Sequence, residues 1–552
     1  MAERRAALRA AVLAGLVLFA APLFATTYGD VDVVPRQGFA PGRRGYYHEY
    51  RFTIANRSSR PRQVRIQLKS AFLRGASDSA TRTFQSPPRS ESLVEVPLLL
   101  TGYFAPDQAV VFIDGTEQSD RIRLNQQLSW EEGSSPDVLL SRSVADRESN
   151  VIDFERALVG PEQWSASWLQ YGRYAGIVVT PADWLDLPPA VQTAILRWTF
   201  AGGTLVFTNH PEWLPGSPGT GGEYGLGSIV VVYAPNGVLD DAAILPYLRV
   251  RTHDDTIFNA AANELPLLDR NMLPVRGLFG VLLVFAIVAG PVNLILLARK
   301  NRRHWIFATI PLLAVVTSLI LVGTTVASEG WVRIHRARAL TVLDEPRGLA
   351  ATFGWSGFYA TVSPRGAVRF DSDTELRPNL NRETGDADTQ WDDGQRLFGS
   401  WNGTRVPAYF AVRRSGPRRE RLPLRREGSQ LAGVNGLGGP IERLLVADAS
   451  GAIFEARDIA PGQSFRLART QKTTQRDGGA TDIRTIAGAD AWSGLLSSLE
   501  GEPERVLRGG DYVAILRDTP FLEAPLEKAS ESTRRGIVYG IRAAVEGESD
   551  AR

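Results

Sequence analysis

Cysteine is absent from all 552 residues. That absence removes disulfides, thiolate metal sites, a thiol nucleophile and a lipid-modified cysteine together. Any exported part must therefore be stabilised by core burial. A charge surplus is missing too: the formal net charge is +2, which argues against a dedicated nucleic-acid binder. Lysine occurs only at positions 69, 300, 472 and 528. Nearly every base is thus arginine, a coding preference rather than a chemical signal. There is no fixed-period repeat and no G-x-S-x-G nucleophile elbow.

The remaining composition is globular, 44% hydrophobic and 22% charged, at a length that implies roughly two to four domains. Three arginines precede an apolar run over 10–25, the layout of a signal peptide covering 1–26. Leu23 is large for its place before the expected cut, which leaves an uncleaved N-terminal anchor as the alternative. Two further runs, 277–298 and 305–328, hold 22 and 24 uncharged residues. About 20 helical residues cross a hydrocarbon core of roughly 30 Å. Between the runs, Arg299, Lys300, Arg302 and Arg303 make a basic turn that the positive-inside rule places in the cytoplasm. Both flanks then face outward, in agreement with the signal. The expected location is a bacterial cytoplasmic membrane, multi-pass, with the N- and C-terminal domains on its outer face.

The pattern predicts five parts after the signal. Residues 27–130 read as a β-sandwich of immunoglobulin-like type, with period-2 alternation clearest in YYHEYRFTIAN (46–56) and RQVRIQLKSAF (62–72). Residues 131–252 read as an α/β domain of short buried strands and a helix ending in two glycines, which implies a parallel sheet. A linker (253–276) leads to the transmembrane hairpin (277–328). The remainder, 329–552, is β-rich, with one or two sandwiches interrupted by a loop-like stretch at 371–394.

The stretch YAGIVVTPADWLDLPPAVQTAILRWTFAGGTLVFTNH (174–210) resembles the class I glutamine amidotransferase-like fold. It is nearest to non-catalytic relatives in which a wV..GG.lv segment recurs. The resemblance covers about 115 residues and rests on packing glycines. It implies a flavodoxin-like sheet. Amidotransferases use a cysteine on a strand-to-helix elbow with a histidine partner, so this chain is excluded from that chemistry. Ligands of open α/β sheets bind at the carboxyl ends of the strands. That places Asp183 and Asp186 after one strand, and His210 and Glu212 after the next, as ligand-binding candidates. Such a group could hold a metal or serve as a base; alternatively Asp183 caps a helix and the others are loop residues.

His253, Asp254 and Asp255 are adjacent, so their side chains alternate in direction and suit a shared ion poorly. The acidic loop 386–394 lacks the spacing of a calcium loop. Seven arginines in VRRSGPRRERLPLRRE (412–427) could meet polyanions, or lie on the wet face of two strands. In the hairpin, Pro291 and Pro311 each remove a backbone hydrogen bond and are expected to kink their helices at one depth. The amide of Asn293 seeks a partner, typically on another helix.

The layout also resembles uncharacterised bacterial two-helix envelope proteins, through Gly290, Pro291 and Asn293, the basic turn, Gly202 and Gly203, and YVAILRDTPF (512–521). Some of those relatives look like auxiliary components of ABC transporters. The resemblance implies other envelope membrane proteins as partners, together with membrane lipid. The expectation is an exported binding or scaffold protein without catalysis or cofactor. A transporter accessory subunit and a metal-dependent hydrolase using the rim are the alternatives.

Overall fold

The computed structural model describes residues 25–36, 45–71, 77–100, 106–124, 137–145, 155–158, 163–209, 222–234, 244–248, 256–267, 275–300, 303–329, 332–361, 367–379, 387–399, 401, 405–428, 430–470, 483, 486, 489–497, 507–526 and 529–542. They form several β-sheets and two apolar helices long enough to cross a membrane. The chain divides into two compact units, 1–253 with 369–399, and 254–368 with 400–552.

The first unit begins with a four-stranded antiparallel sheet. Its order is β1 (Thr26–Tyr28), β2 (Val31–Arg36), β3 (Tyr47–Asn56) and β6 (Ser90–Leu99). A second sheet holds β4 (Arg62–Ala71), β5 (Ser77–Ser86), β7 (Gln108–Ile113) and β8 (Thr116–Glu117), with β9 (Ile122–Arg123) beside β7. Along β3 polarity alternates but exposure does not. Tyr50, Phe52 and Ile54 are buried, and so are Glu49, Arg51 and Thr53 on the other face. Alternation therefore marks two chemically different buried faces here, not a wet face and a dry one.

The 371–394 stretch, read from sequence as a loop, carries strands. β19 (Thr374–Pro378) and β20 (Ala387–Gln390) lie within it, and β18 (Val368–Phe370) and β21 (Gln395–Gly399) flank it. β20 pairs in parallel with β5, Ala387 opposite Asp78 through Gln390 opposite Thr81. The second sheet thus runs β18-β21-β20-β5-β4-β7-β8. Side chains fix the register: Ser79 donates to Asp388 Oδ1 at 2.6 Å, the Thr83 amide donates to Asp392 Oδ1 at 2.8 Å, and Tyr47 donates to Gln395 Oε1 at 2.7 Å. The acids of this stretch accept strand hydrogen bonds, a role that sequence polarity alone does not distinguish from solvation.

The α/β layer is one sheet in the order β11 (Glu155–Leu158), β10 (Asp137–Leu140), β12 (Gly176–Val179), β13 (Thr204–Thr208), β15 (Gly227–Val232), β14 (Gly222–Tyr224). The first five strands are parallel and β14 is antiparallel. β10, β12 and β13 are buried along their whole length, as expected when both faces of a parallel sheet are covered. Helices α1 (Pro181–Asp186) and α2 (Pro189–Phe200) connect β12 to β13. The GG ending has a steric cause. A Cβ on Gly203 would lie 2.5 Å from the Trp198 ring, and one on Gly227 2.0 Å from the Thr199 carbonyl oxygen. Glycine at both places lets the end of α2 press onto the sheet.

In the second unit, α3 (Thr256–Glu264) precedes the hairpin of α4 (Val275–Ile287), α5 (Asn293–Arg299) and α6 (Ile306–Glu329). β16 (Arg333–Asp344) follows and pairs antiparallel with β17 (Leu349–Ala360). From there a mixed sheet continues through β29 (Glu531–Ile541), β28 (Tyr512–Leu516), β25 (Ile441–Ala447), β26 (Ile453–Ile459), β27 (Ser464–Arg469), β24 (Gln430–Val434) and β23 (Leu424–Glu427), with β22 (Ala408–Pro417) beside β17. One core joins Leu343 on β16 and Val538 on β29 to Leu424 and Leu431 at the far end. The sheet therefore curls around a single interior. The 512–521 segment supplies Tyr512, Leu516 and Phe521 to that core. Tyr512 lies where a Cβ on Gly540 would sit, 2.0 Å from the ring.

Candidate functional site

The carboxyl rim of the parallel sheet is assembled by capping. Thr180 Oγ1, just past β12, accepts from the Asp183 amide at 3.0 Å, and Pro181 opens the helix. This is a helix start with its acid in the first turn, where the helix dipole favours negative charge. The Asp183 carboxylate accepts from Ser143 Oγ at 2.6 Å and from Ser141 Oγ. Ser141 directly follows β10, and its amide donates to Val178 O at 3.0 Å. Asp183 thus ties the end of β10 to the start of α1.

Asp186 is exposed on the last turn of α1 and does not share that cluster of hydroxyls. His210 and Glu212 lie outside the described residues, as do the adjacent trio His253, Asp254 and Asp255. Asn209 was not marked by sequence pattern, yet it holds the far side of the rim. It has a φ of 73°, a conformation that asparagine tolerates better than most residues. Its amide donates to Val232 O at 2.8 Å, and its Oδ1 accepts from the Ala234 amide at 3.2 Å. No group of three or more His, Asp or Glu side chains suited to a metal ion occurs among the described residues.

The apolar helices form the second candidate. The segments Phe279–Arg299 and Ile306–Gly323 have mean hydropathies of 2.6 and 2.4. Their large side chains point outward; Phe307 is 86% exposed and Phe279 69%. Pro291 sits in a single π-helical turn, Val288–Val292, that links α4 to α5. The widened turn accommodates the hydrogen bond that proline cannot make. Pro311, by contrast, lies within α6, which runs unbroken as α-helix from Ile306 to Glu329. The two prolines therefore do not act alike.

Asn293 is buried and donates through Nδ2 to Thr309 Oγ1 at 2.8 Å. Its partner is the second helix of the same hairpin. A Cβ on Gly290 would meet nothing within 4 Å. Arg299 ends α5 and Lys300 caps it; Arg303 begins the short turn before α6, and Arg302 lies outside the described residues. On the other side, Leu267, Ile334 and Tyr359 form a small core with Val332 and Tyr409. The residues just before and just after the hairpin are thereby joined at the ends of neighbouring strands of one sheet.

The arginine run is largely paired. Arg414 meets Glu523 at 2.9 Å, Arg418 meets Glu420 at 3.1 Å, and Arg425 meets Glu427 at 2.7 Å. β22 carries Arg414 and β23 carries Arg425 and Glu427, with Arg418 and Glu420 in the connection between them, so the strand reading of the run fits better than a polyanion patch.

Pattern reading missed two buried polar groups. Glu49 and Arg51 on β3 look like wet-face residues, yet are 1% and 8% exposed. His335 on β16 lies between two hydroxyls, Ser532 Oγ and Ser356 Oγ, each at 3.0 Å. Burial, followed by the Arg534 charge, lowers its pKa to about 4, against an opposing pull from Asp518. It is held neutral, one ring nitrogen donating and the other accepting.

No family model matches the chain. No curated protein matches it. Among solved structures, a β-glucosidase from Listeria innocua in complex with gluconolactone is similar over 19% of this chain and 17% of that chain, at 14% identity and a TM-score of 0.13. So small a likeness, spanning well under two thirds of that protein, carries no argument about fold or activity.

Proposed function

We propose that the protein is a membrane-anchored scaffold whose exported domains bind a partner without catalysis of their own. The observation that carries this reading is the state of Asp183. Its carboxylate accepts from Ser141 and Ser143 while its amide is held by Thr180. A carboxylate so engaged orders the rim and is a poor general base, because proton abstraction needs a free lone pair aimed at the substrate. The sheet behind it is read as amidotransferase-like, with the packing glycines and without the nucleophile.

Exposed apolar side chains along both helices support insertion in a bilayer. The pairing of Asp78–Thr81, before the hairpin, with Ala387–Gln390, after it, supports both flanks lying on one side of the membrane. The basic turn supports that side being the outer face of a cytoplasmic membrane. The Asn293 amide is satisfied within the hairpin, so it lends no support to the transporter-accessory alternative.

The test is purification of the intact protein from its native membrane in mild detergent, followed by mass spectrometry. Stoichiometric recovery with a second envelope protein is expected, and it should survive Ser141→Ala. A protein that comes out alone, with a hydrolytic activity abolished by Asp183→Asn, would overturn the proposal.

A further inference from the structure

Glu49, Arg51 and Glu95 form a charged group under a lid of backbone. Glu95 on β6 stands directly across from Arg51 on β3, with Arg51 Nε 3.8 Å from Glu95 Oε1. Arg51 Nη2 donates to Glu49 Oε2 at 3.1 Å. The same guanidinium reaches over to the 163–171 segment, which leads into β12. It donates to Gln163 O at 3.2 Å and to Trp164 O at 3.3 Å. Arg51 is therefore the clasp by which β3 holds that segment.

The charge balance is odd. Two carboxylates face one guanidinium, and Glu49 is 1% exposed. Its Oε1 has no hydrogen-bond partner among the described residues. An ionised Glu49 would leave that oxygen bare inside the protein, at high desolvation cost. A protonated Glu49 turns the same oxygen into a donor, and the adjacent carboxyl of Glu95 is the acceptor at hand. Like charges in one site favour such sharing. The groups facing Glu49 are Glu95 from β6, Arg51 from its own strand, and Ser165 and Tyr171 from the covering segment.

We propose that Glu49 and Glu95 share one proton beside Arg51, and that this proton latches the Gln163–Tyr171 segment onto β3. Loss of the proton leaves a buried Glu49 charge beside the half-buried Glu95 charge, with one guanidinium between them, and loosens the clasp. The unit then carries a pH-sensitive joint between its antiparallel sheet and its α/β layer.

Burial, followed by the Glu95 charge and opposed by Arg51, pushes the Glu49 carboxyl up from 4.5 to about 8. A carboxyl raised in the folded state contributes stability that is complete below about 4.5 and is lost as pH rises towards 8. Each pH unit in that window is worth at most a tenfold change in the opening equilibrium.

The experiment is hydrogen exchange by mass spectrometry on the full chain in nanodiscs, from pH 5 to 9, corrected for intrinsic rates. Protection of 163–171 is expected to fall by one to three powers of ten in the native protein, a range bounded by that shift, and to stay flat in Glu49→Gln. Glu95→Gln should shrink the fall, because the like charge is gone. It also decides the matter if Glu49→Gln fails to fold, since an undiminished fall in Glu95→Gln overturns the proposal. So does a native protein with flat protection, or a Glu49→Gln variant that keeps the native fall. An infrared carbonyl band of a protonated carboxyl at pH 6.5, lost in Glu49→Gln, reads the proton directly.

Discussion

The hydrogen bond from Asn293 to Thr309 makes a prediction that separates a hairpin built for itself from one built for a partner. Asn293→Leu removes the donor, but the Thr309 hydroxyl keeps a second outlet, the Ile306 carbonyl at 3.5 Å. The loss should be near the membrane average of about 0.6 kcal/mol, reaching about 1.7 at most. Thr309→Val is the harsher change. It strands a buried amide (Asn293 is 8% exposed) and should cost about 1–3 kcal/mol. In the double variant no amide is stranded, so much of the second loss returns. A coupling energy of about 0.6–1.7 kcal/mol should remain. The assay is reversible unfolding of the full chain in mixed detergent, followed by far-ultraviolet circular dichroism, for the four proteins of the cycle. Strict additivity would refute the reasoning. If Asn293→Leu instead left stability untouched and abolished recovery of a partner, the amide would belong to an interface between proteins.

Three further outcomes follow. Gly227→Ala should cost well over about 3 kcal/mol, since its Cβ would meet backbone oxygens at 2.0 and 2.3 Å. Gly222→Ala, where the nearest atom is 3.8 Å away, is the matched control, and thermal melts of the two variants give the comparison. Ser141→Ala removes a hydrogen bond to an ionised group and should lower the melting free energy by about 1.5 kcal/mol. Equal stability in the variant would mean that Asp183 is not held by it. His335, with its pKa lowered from 6.5 to about 4, should lose stability as pH falls through that window, on the order of 3 kcal/mol in all. His335→Gln should flatten that acid limb, and chemical denaturation between pH 4 and 7 would show whether it does.

What the sequence made legible were features whose cause is local. An uncharged run of twenty-odd residues is read without knowing its neighbours. The buried strands around 176–180 and 204–209 likewise announce a covered parallel sheet by composition alone, and Gly202 and Gly203 mark the end of the helix between them. The rest depends on pairing across distance. Glu49 and Arg51 alternate with Tyr50 and Phe52 as wet-face residues would, and only the segment at 163–171 reveals that they are covered. Residues 371–394 look solvated because their partners lie far back along the chain. Asn293 was expected to seek another helix, and pattern alone could not say that Thr309 supplies the answer. At the rim, Thr180 and not Asp183 caps the helix, and the Asp183 carboxylate accepts from Ser141 and Ser143 instead, whereas His210 and Glu212 fall beyond the described residues.

The parallel bond between β5 and β20 also constrains how the molecule is made. Roughly 300 residues separate the two strands, and ribosomes add about 5–20 residues per second. For something like 15 to 60 seconds, β5 is finished while its outer neighbour has not been synthesised. An open strand edge of that kind is a template for aggregation. Both apolar helices are synthesised before the matching strand arrives. The second sheet is therefore completed late, from a part of the chain delivered after the apolar hairpin. A truncated product ending in the hairpin should emerge with an adhesive edge, and a supplied peptide spanning 385–400 should be able to close it.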